Sequence, residues 1–120
     1  MDKETFQKKT MELGIRIIKM VGTMPQTNVA RVIGGQLLRS STSVGANYRA
    51  ACRAKSKKDF INKLKIVEEE ADETLFWLEL IEETGFFSKG KLDSLKLETD
   101  ELISMIVSSL KTLKSQNRKP

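Results

Sequence analysis

The chain has 120 residues, 39% of them hydrophobic and 31% charged, with two prolines and seven glycines, which suits one helical globular domain without long disordered linkers. Its net charge of +5 permits an anionic partner such as nucleic acid. With no histidine and a single cysteine, Cys52, the sequence excludes an intramolecular disulfide, a thiolate metal cluster and catalytic sites that depend on histidine.

The first predicted helix covers residues 4–24 of a single domain that spans residues 1–120. Apolar side chains recur there every three or four residues, the spacing of one face of an α-helix. This face is formed by Phe6, Leu13, Ile17, Met20 and Met24. Pro25 follows and ends the helix, because proline cannot continue the hydrogen-bonding pattern.

The second predicted helix covers residues 28–52, with Thr27 or Asn28 as its N-terminal cap. Its apolar face comprises Val29, Ile33, Leu37, Val44 and Tyr48. The same helix is rich in small residues, which allow the backbone of a neighbouring helix to approach closely. These small residues are Ser40, Ser41, Ser43, Gly45 and Ala46.

A polar row borders the apolar face of the second helix at spacings of four, three and four residues, with Arg39 near its outer edge. The row consists of Gln36, Ser40, Ser43 and Asn47. We interpret it as a packing contact that forms hydrogen bonds to acids of another helix, such as Glu70 or Glu73. A site for a ligand or a partner is the alternative.

The third predicted helix covers residues 57–84. Ser56 and Asp59 have the S-x-x-D spacing in which the serine caps the helix, and Gly85 provides the stop. The apolar face of this helix is Phe60, Leu64, Val67, Ala71, Leu75 and Leu78.

A fourth predicted helix covers residues 91–115. Its face is Leu95, Leu102, Ile106, Ser109 and Leu113.

Short connections join these long helices, which makes consecutive helices antiparallel neighbours. The sequence therefore predicts an all-α fold, an antiparallel up-down-up-down four-helix bundle. Three packed helices with one outlying helix are the alternative.

The chain lacks an apolar run of the roughly 18 residues that a membrane span needs, and it lacks a signal peptide pattern. We expect a cytoplasmic protein with no membrane contact.

Two helices carry more apolar surface than one bundle core can bury. In the first helix a second stripe lies roughly opposite Leu13 and Ile17, and in the third helix two apolar side chains point away from the core face. These additional apolar residues are Met11, Ile15, Ile18, Phe76 and Leu80. We interpret them as a subunit interface and expect a homo-oligomer. The alternative is scattered surface hydrophobes, which soluble proteins tolerate.

Basic residues are concentrated around the start of the third helix, with Asp59 as the one acid among them. They are Arg49, Arg53, Lys55, Lys57, Lys58, Lys63 and Lys65. Eight acids without an intervening base then follow in residues 68–83, so the charge order opposes the helix dipole. The basic cluster contacts phosphates, or it docks on the acidic end of a neighbouring subunit, or it is a solvated surface.

Three carboxylates of the third helix also suggest a metal site, namely Glu69, Glu70 and Glu73. Without histidine this interpretation loses its support, so we expect no metal, no cofactor and no catalytic residue. Ser40 and Ser41 have no neighbouring base that would make either of them a nucleophile. An enzyme that uses Glu70 and Glu73 as acid and base remains the third functional hypothesis.

A distinctive pattern consists of Met24-Pro25 and of residues 36–47, read Gln-Leu-Leu-Arg-Ser-Ser-Thr-Ser-Val-Gly-Ala-Asn. With this pattern the chain resembles bacterial four-helix-bundle proteins encoded in ribosomal RNA intervening sequences, and the resemblance extends over about residues 6–113. Later matching positions are Lys57-Lys58-Asp59-Phe60, Glu73 and Gly85-Phe86. The chain has Asn47-Tyr48-Arg49-Ala50-Ala51 where the family often reads Asn-Ile-Ala-Glu-Gly.

The resemblance implies a homopentamer, related in build to the accessory proteins of diversity-generating retroelements, and it implies no enzymatic activity. It assigns structural roles to Gln36, Arg39, Ser43, Asn47 and Glu73. Our first functional hypothesis is an oligomeric accessory protein whose basic cluster binds the RNA or DNA backbone without base readout. The alternative is a scaffold that binds a protein partner and has no role with nucleic acid.

Overall fold

A computed structural model describes residues 2–117, and this part of the chain contains four α-helices and no strand. The helices are α1 (Lys3–Val21), α2 (Asn28–Ala51), α3 (Lys57–Glu83) and α4 (Asp93–Asn117). Each helix packs on its two neighbours in the order α1, α2, α3, α4 and back to α1, within a rod of 55 × 23 × 21 Å. The predicted all-α fold and four-helix bundle are confirmed.

The helix starts follow from local capping. Ser56 accepts a hydrogen bond from the Asp59 backbone N–H at 3.1 Å, which confirms the S-x-x-D prediction. Thr27, rather than Asn28, caps α2 and accepts from the Ala30 N–H at 3.2 Å. Each cap satisfies a backbone donor that has no carbonyl partner inside its own helix.

The predicted helix boundaries differ from the structure by at most three residues, most of all at the end of α1 and at both ends of α4. Helix α1 ends at Val21 instead of residue 24, because a tight turn begins there in which the Met24 N–H bonds to the Val21 carbonyl. Helix α4 begins at Asp93 instead of residue 91, because the Lys91 and Asp93 N–H groups bond to carbonyls three residues earlier in a turn that contains Gly90, whose φ is 87°. The predicted stop at Gly85 also shows a positive φ, 76°.

The core confirms most of the predicted apolar faces but not Val29, which is 60% exposed. Ala30 is buried in its place, and Gly34 lies one turn further along the same buried face. A Cβ atom on Gly34 would lie 3.2 Å from Val21 and 3.3 Å from Met24, so α1 covers this face of α2 closely. Small residues therefore replace large ones where the first two helices meet.

A second close contact between α1 and α2 occurs near their other ends. A Cβ atom on Gly45 would lie 3.2 Å from the Thr10 hydroxyl oxygen, so glycine permits this approach. The pairs Gly45–Thr10 and Gly34–Val21 run in opposite directions along the two helices, as antiparallel packing requires. Within residues 2–117, no helix combines the length and the apolarity that a membrane crossing requires.

Candidate interaction surfaces

One end of the bundle is rich in lysine. The antiparallel order brings the start of α3, the end of α4 and the start of α1 together there, and the Lys57 ammonium donates to Gln116 of α4 at 3.2 Å. The Lys3 ammonium of α1 lies 5.4 Å from the centre of the Phe60 ring. We call this region the basic end and define it by Lys3, Lys55, Lys57, Lys58, Lys65, Lys111 and Lys114, all of them exposed.

The lysines of the basic end form no ion pair with a carboxylate among residues 2–117, and neither do other exposed cations such as Lys8 and Lys89. A few cations outside the basic end do bridge helices: Arg39 binds Glu70 at 3.2 Å and also Glu73, and Lys96 binds Glu82 at 2.6 Å. Arg16 of α1 binds Glu98 of α4 in the same way. Among the described residues no carboxylate forms an ion pair with Lys57, Lys58, Lys65, Lys111 or Lys114.

Lys63, predicted as part of the basic cluster, is placed differently. Its ammonium binds both carboxylate oxygens of Asp59, at 2.7 and 2.8 Å, one helical turn away. These hydrogen bonds, together with one from the Lys55 backbone N–H, hold the pKa of Asp59 below its ordinary value. The charge of Lys63 is therefore balanced within the chain.

Arg49 and Arg53 line a groove between α1 and α2. The groove has a volume of about 640 Å³. Its α1 wall presents Met11, Ile15 and Ile18, the predicted apolar stripe, and all three are exposed. The structure thus combines two of the predicted phosphate-binding residues with three of the predicted subunit-contact residues in one groove, which we call the α1–α2 groove.

The other two predicted subunit-contact residues lie on α3. Phe76 is 53% exposed and packs edge-on against Trp77 with 5.0 Å between ring centres, whereas Leu80 is half-buried. Helical spacing places Phe76 on the outer side of α3 among acids. These acids are Glu69, Asp72 and Glu83, each exposed and without an ion pair among residues 2–117. We call Phe76, Leu80 and these acids the outer face of α3.

Residues 3–108 match the family model of 23S rRNA-intervening sequence proteins. The chain belongs to this family. A similar crystal structure is that of a protein with unknown function from the S23 ribosomal protein family of Bacteroides thetaiotaomicron VPI-5482, with 35% sequence identity and a TM-score of 0.83. The match covers 92% of this chain and 99% of that one. No curated protein matches the sequence.

Membership of the 23S rRNA-intervening sequence protein family confirms the resemblance stated for the second helix. Neither comparison indicates a catalytic family. The polar row takes part in helix packing through Ser40, whose hydroxyl accepts from the Thr74 hydroxyl at 3.1 Å in the buried contact between α2 and α3. The acids Glu70 and Glu73, predicted as partners of the row, bind Arg39 beside it instead. Glu73 also accepts from the Trp77 indole N–H at 3.1 Å, in addition to its ion pair with Arg39.

Two groups of surface residues were missed by the sequence interpretation. Lys3, Lys111 and Lys114 belong to the basic end although they lie far from α3 in sequence. Antiparallel topology was the available signal, since it places the start of α1 and the end of α4 beside the start of α3. The grouping of the acids with Phe76 was also available, because residues 69, 72, 76 and 83 share one side of a helix.

Proposed function

We propose that this chain is a non-catalytic, homo-oligomeric accessory protein that binds the backbone of nucleic acid through its basic end. The observation that carries this proposal is the collection of lysines from three helices at one end of the bundle without carboxylate partners. Phosphates would supply the missing negative charge, and the released counterions would favour binding.

The start of α3 adds to this positive potential. The N-terminus of a helix carries a partial positive charge, so Lys57 and Lys58 in its first turn are placed unfavourably in the free protein. Each such exposed charge costs roughly 0.3–1 kcal/mol, and a bound phosphate relieves that cost. The charge order that opposes the dipole within one chain thus favours an anionic partner.

Recognition of individual bases is not part of the proposal. Base stacking needs exposed aromatic rings beside the backbone contacts. Phe60 at the basic end is half-buried and lies beneath Lys3. The aromatic side chain that is exposed among residues 2–117 is Phe76, about three-quarters of the way along α3. Lysines alone contact the phosphates and do not distinguish one base sequence from another.

RNA is the first nucleic acid to test, since the family description refers to 23S rRNA. Fluorescence anisotropy with a labelled single-stranded RNA and a matched DNA should be recorded over a range of salt concentrations. If Lys57, Lys58, Lys65, Lys111 and Lys114 each contact one phosphate, the slope of log K against log[salt] should be about −3.5 on single strands. Replacing two of them, with Lys57→Glu and Lys58→Glu together, should weaken binding and make the slope shallower by about 1.4.

A matched control is available at the opposite end of the bundle. Lys89 and Lys91 are exposed in the connection between α3 and α4, so Lys89→Glu with Lys91→Glu changes the net charge by the same amount. This control should retain most of the binding and its salt slope. A salt-independent affinity, or equal losses in both double variants, would contradict phosphate binding at the basic end.

A protein scaffold without a nucleic-acid role is the second candidate, because the α1–α2 groove offers apolar surface to a protein. The same measurements separate the two functions. If neither RNA nor DNA binds at low salt while the chain self-associates, the scaffold function is favoured. The homopentamer and the relation to retroelement accessory proteins are likewise proposals from the family resemblance.

A further inference from the structure

We infer that the α1–α2 groove of one copy receives the outer face of α3 of a second copy, so that Arg49 and Arg53 bind subunit carboxylates rather than phosphates. This inference rests on the homo-oligomer within the proposed function and is independent of nucleic-acid binding. It assigns a partner to two surfaces that the single bundle leaves open.

The two surfaces are chemically complementary. The groove presents Met11, Ile15 and Ile18 beside two arginines that have no carboxylate partner within residues 2–117. The outer face of α3 presents one large exposed ring, Phe76, beside acids that also lack partners. Burying the apolar parts together removes them from water, and arginine pairs with carboxylates through two parallel hydrogen bonds.

The spacing of the apolar residues agrees along the helix axes. Met11 and Ile15 are four residues apart on α1, and Phe76 and Leu80 are four residues apart on α3. At 1.5 Å per residue both pairs span about 6 Å. The two apolar pairs can therefore lie side by side in register.

The charged residues continue the same register. Gly45 lies opposite Thr10, so antiparallel packing places Arg49 level with residue 6 of α1, and Arg53, in the turn that follows α2, near the level of residue 2. These levels are about 8 and 14 Å from Met11, measured toward the start of α1. On α3 the acids Asp72 and Glu69 lie about 6 and 10 Å from Phe76, toward the start of α3. The remaining differences of about 2 and 4 Å are within the reach of an arginine side chain.

This register fixes the relative orientation of neighbouring copies. When Arg49 lies beside Asp72 and Arg53 beside Glu69, α3 of one copy runs parallel to α1 of the next, and Glu83 at the far end of α3 takes no part in these pairs. The two surfaces are different, and each copy has one of each. Such a contact continues from copy to copy and builds a ring or a filament instead of stopping at a symmetric dimer.

The test is the oligomeric mass of the full chain, measured by light scattering or sedimentation. The wild type should contain more than two copies. Ile15→Glu in the groove and Phe76→Glu on α3 should each reduce the mass to that of one chain, 13.6 kDa. Both wild-type side chains are exposed, so the variants should fold, which circular dichroism checks. Leu97→Glu changes an exposed apolar residue of α4 outside both surfaces and should leave the oligomer intact.

Mixing the two monomeric variants gives the sharper result. The Ile15→Glu chain retains its α3 face and the Phe76→Glu chain retains its groove, so one contact can form and the mixture should yield a 1:1 dimer. A mixture that stays monomeric would overturn the pairing of these two surfaces. A symmetric dimer of the wild type would overturn it as well.

Charge exchange tests the role of the arginines. Arg49→Glu with Arg53→Glu should dissociate the oligomer, and adding Glu69→Arg and Asp72→Arg to the same chain should restore it. If wild-type chains are monomeric at every concentration, the homo-oligomer in the proposed function fails too. If they associate but all these variants associate equally well, the assignment of the interface alone fails.

Discussion

Two glycines of α2 provide a matched test of how closely α1 and α2 pack. Replacing glycine by alanine inside a helix stabilises a protein by about 1 kcal/mol, because alanine loses less backbone freedom on folding. Gly35→Ala should show this gain, since a Cβ atom there has no atom outside its own helix within 4 Å. Gly45→Ala places its Cβ 3.2 Å from the Thr10 hydroxyl oxygen and should behave differently.

Whether Gly45→Ala raises or lowers the free energy of unfolding depends on whether the Thr10 side chain can move. Thr10 is buried, and its hydroxyl donates to the Gln7 carbonyl at 2.8 Å. Turning this side chain away breaks that hydrogen bond, and overpacking or an unsatisfied buried hydroxyl costs about 1–3 kcal/mol. Taking about 2 kcal/mol for this cost, Gly45→Ala should lower the free energy of unfolding by about 1 kcal/mol, against a rise of about 1 kcal/mol for Gly35→Ala.

Thermal and urea unfolding at one fixed protein concentration measure both effects, since the Tm of an oligomer depends on concentration. For a chain of this size 1 kcal/mol corresponds to about 4 °C, so the two variants should differ by about 8 °C. In a Thr10→Ala background the new methyl group meets less resistance, and Gly45→Ala should become stabilising. Equal gains at Gly35 and Gly45 would refute the close contact.

Two further predictions concern single side chains. Tyr48 is fully buried. Among the described residues, its hydroxyl oxygen is the one buried side-chain polar atom without a hydrogen-bond partner, and burial raises the pKa of this hydroxyl. Tyr48→Phe should therefore raise the free energy of unfolding by about 1 kcal/mol in urea titrations, and a loss of stability would indicate a bond to the hydroxyl. The pKa of Asp59 is lowered in the folded chain. Its contribution to the free energy of unfolding is therefore fully present above the pKa of the unfolded state and is lost as the pH falls through the pKa of the folded state. Asp59→Asn should remove this part of the acid dependence, whereas an unchanged acid-unfolding profile would argue against the Lys63 pair.

Local signals in the sequence predicted the elements well because they act within a few residues. The Ser56 cap and the Gly85 stop each depend on backbone groups of one turn, and both occur as predicted. Val29 was misplaced because it matches the helical period as well as Ala30 does. Its exposure is decided by how closely α1 approaches, which depends on small residues in both helices.

The surfaces were harder to predict because they depend on lateral packing. Periodicity showed that Met11 and Ile15 lie off the core face, but it did not show which neighbour lies beside them. The same limit applies to Arg49 and Arg53, which joined the lysines as one basic cluster in the sequence and face the α1–α2 groove in the structure. Lys63 is a different case, because its partner Asp59 lies one turn away in the same helix. The sequence interpretation treated Asp59 only as the lone acid in a basic segment and did not pair it with Lys63.

The charge order of α3 also makes the whole molecule an electric dipole along its long axis. Lysines occupy one end, while the acids of residues 69–83 begin about 20 Å further along a helix that is about 40 Å long. A polyanion therefore attracts and turns the bundle end-on before any contact forms, which raises the association rate most at low ionic strength. Copies aligned in parallel would add their dipoles, and several basic ends on one side would hold a long strand through multivalent attachment.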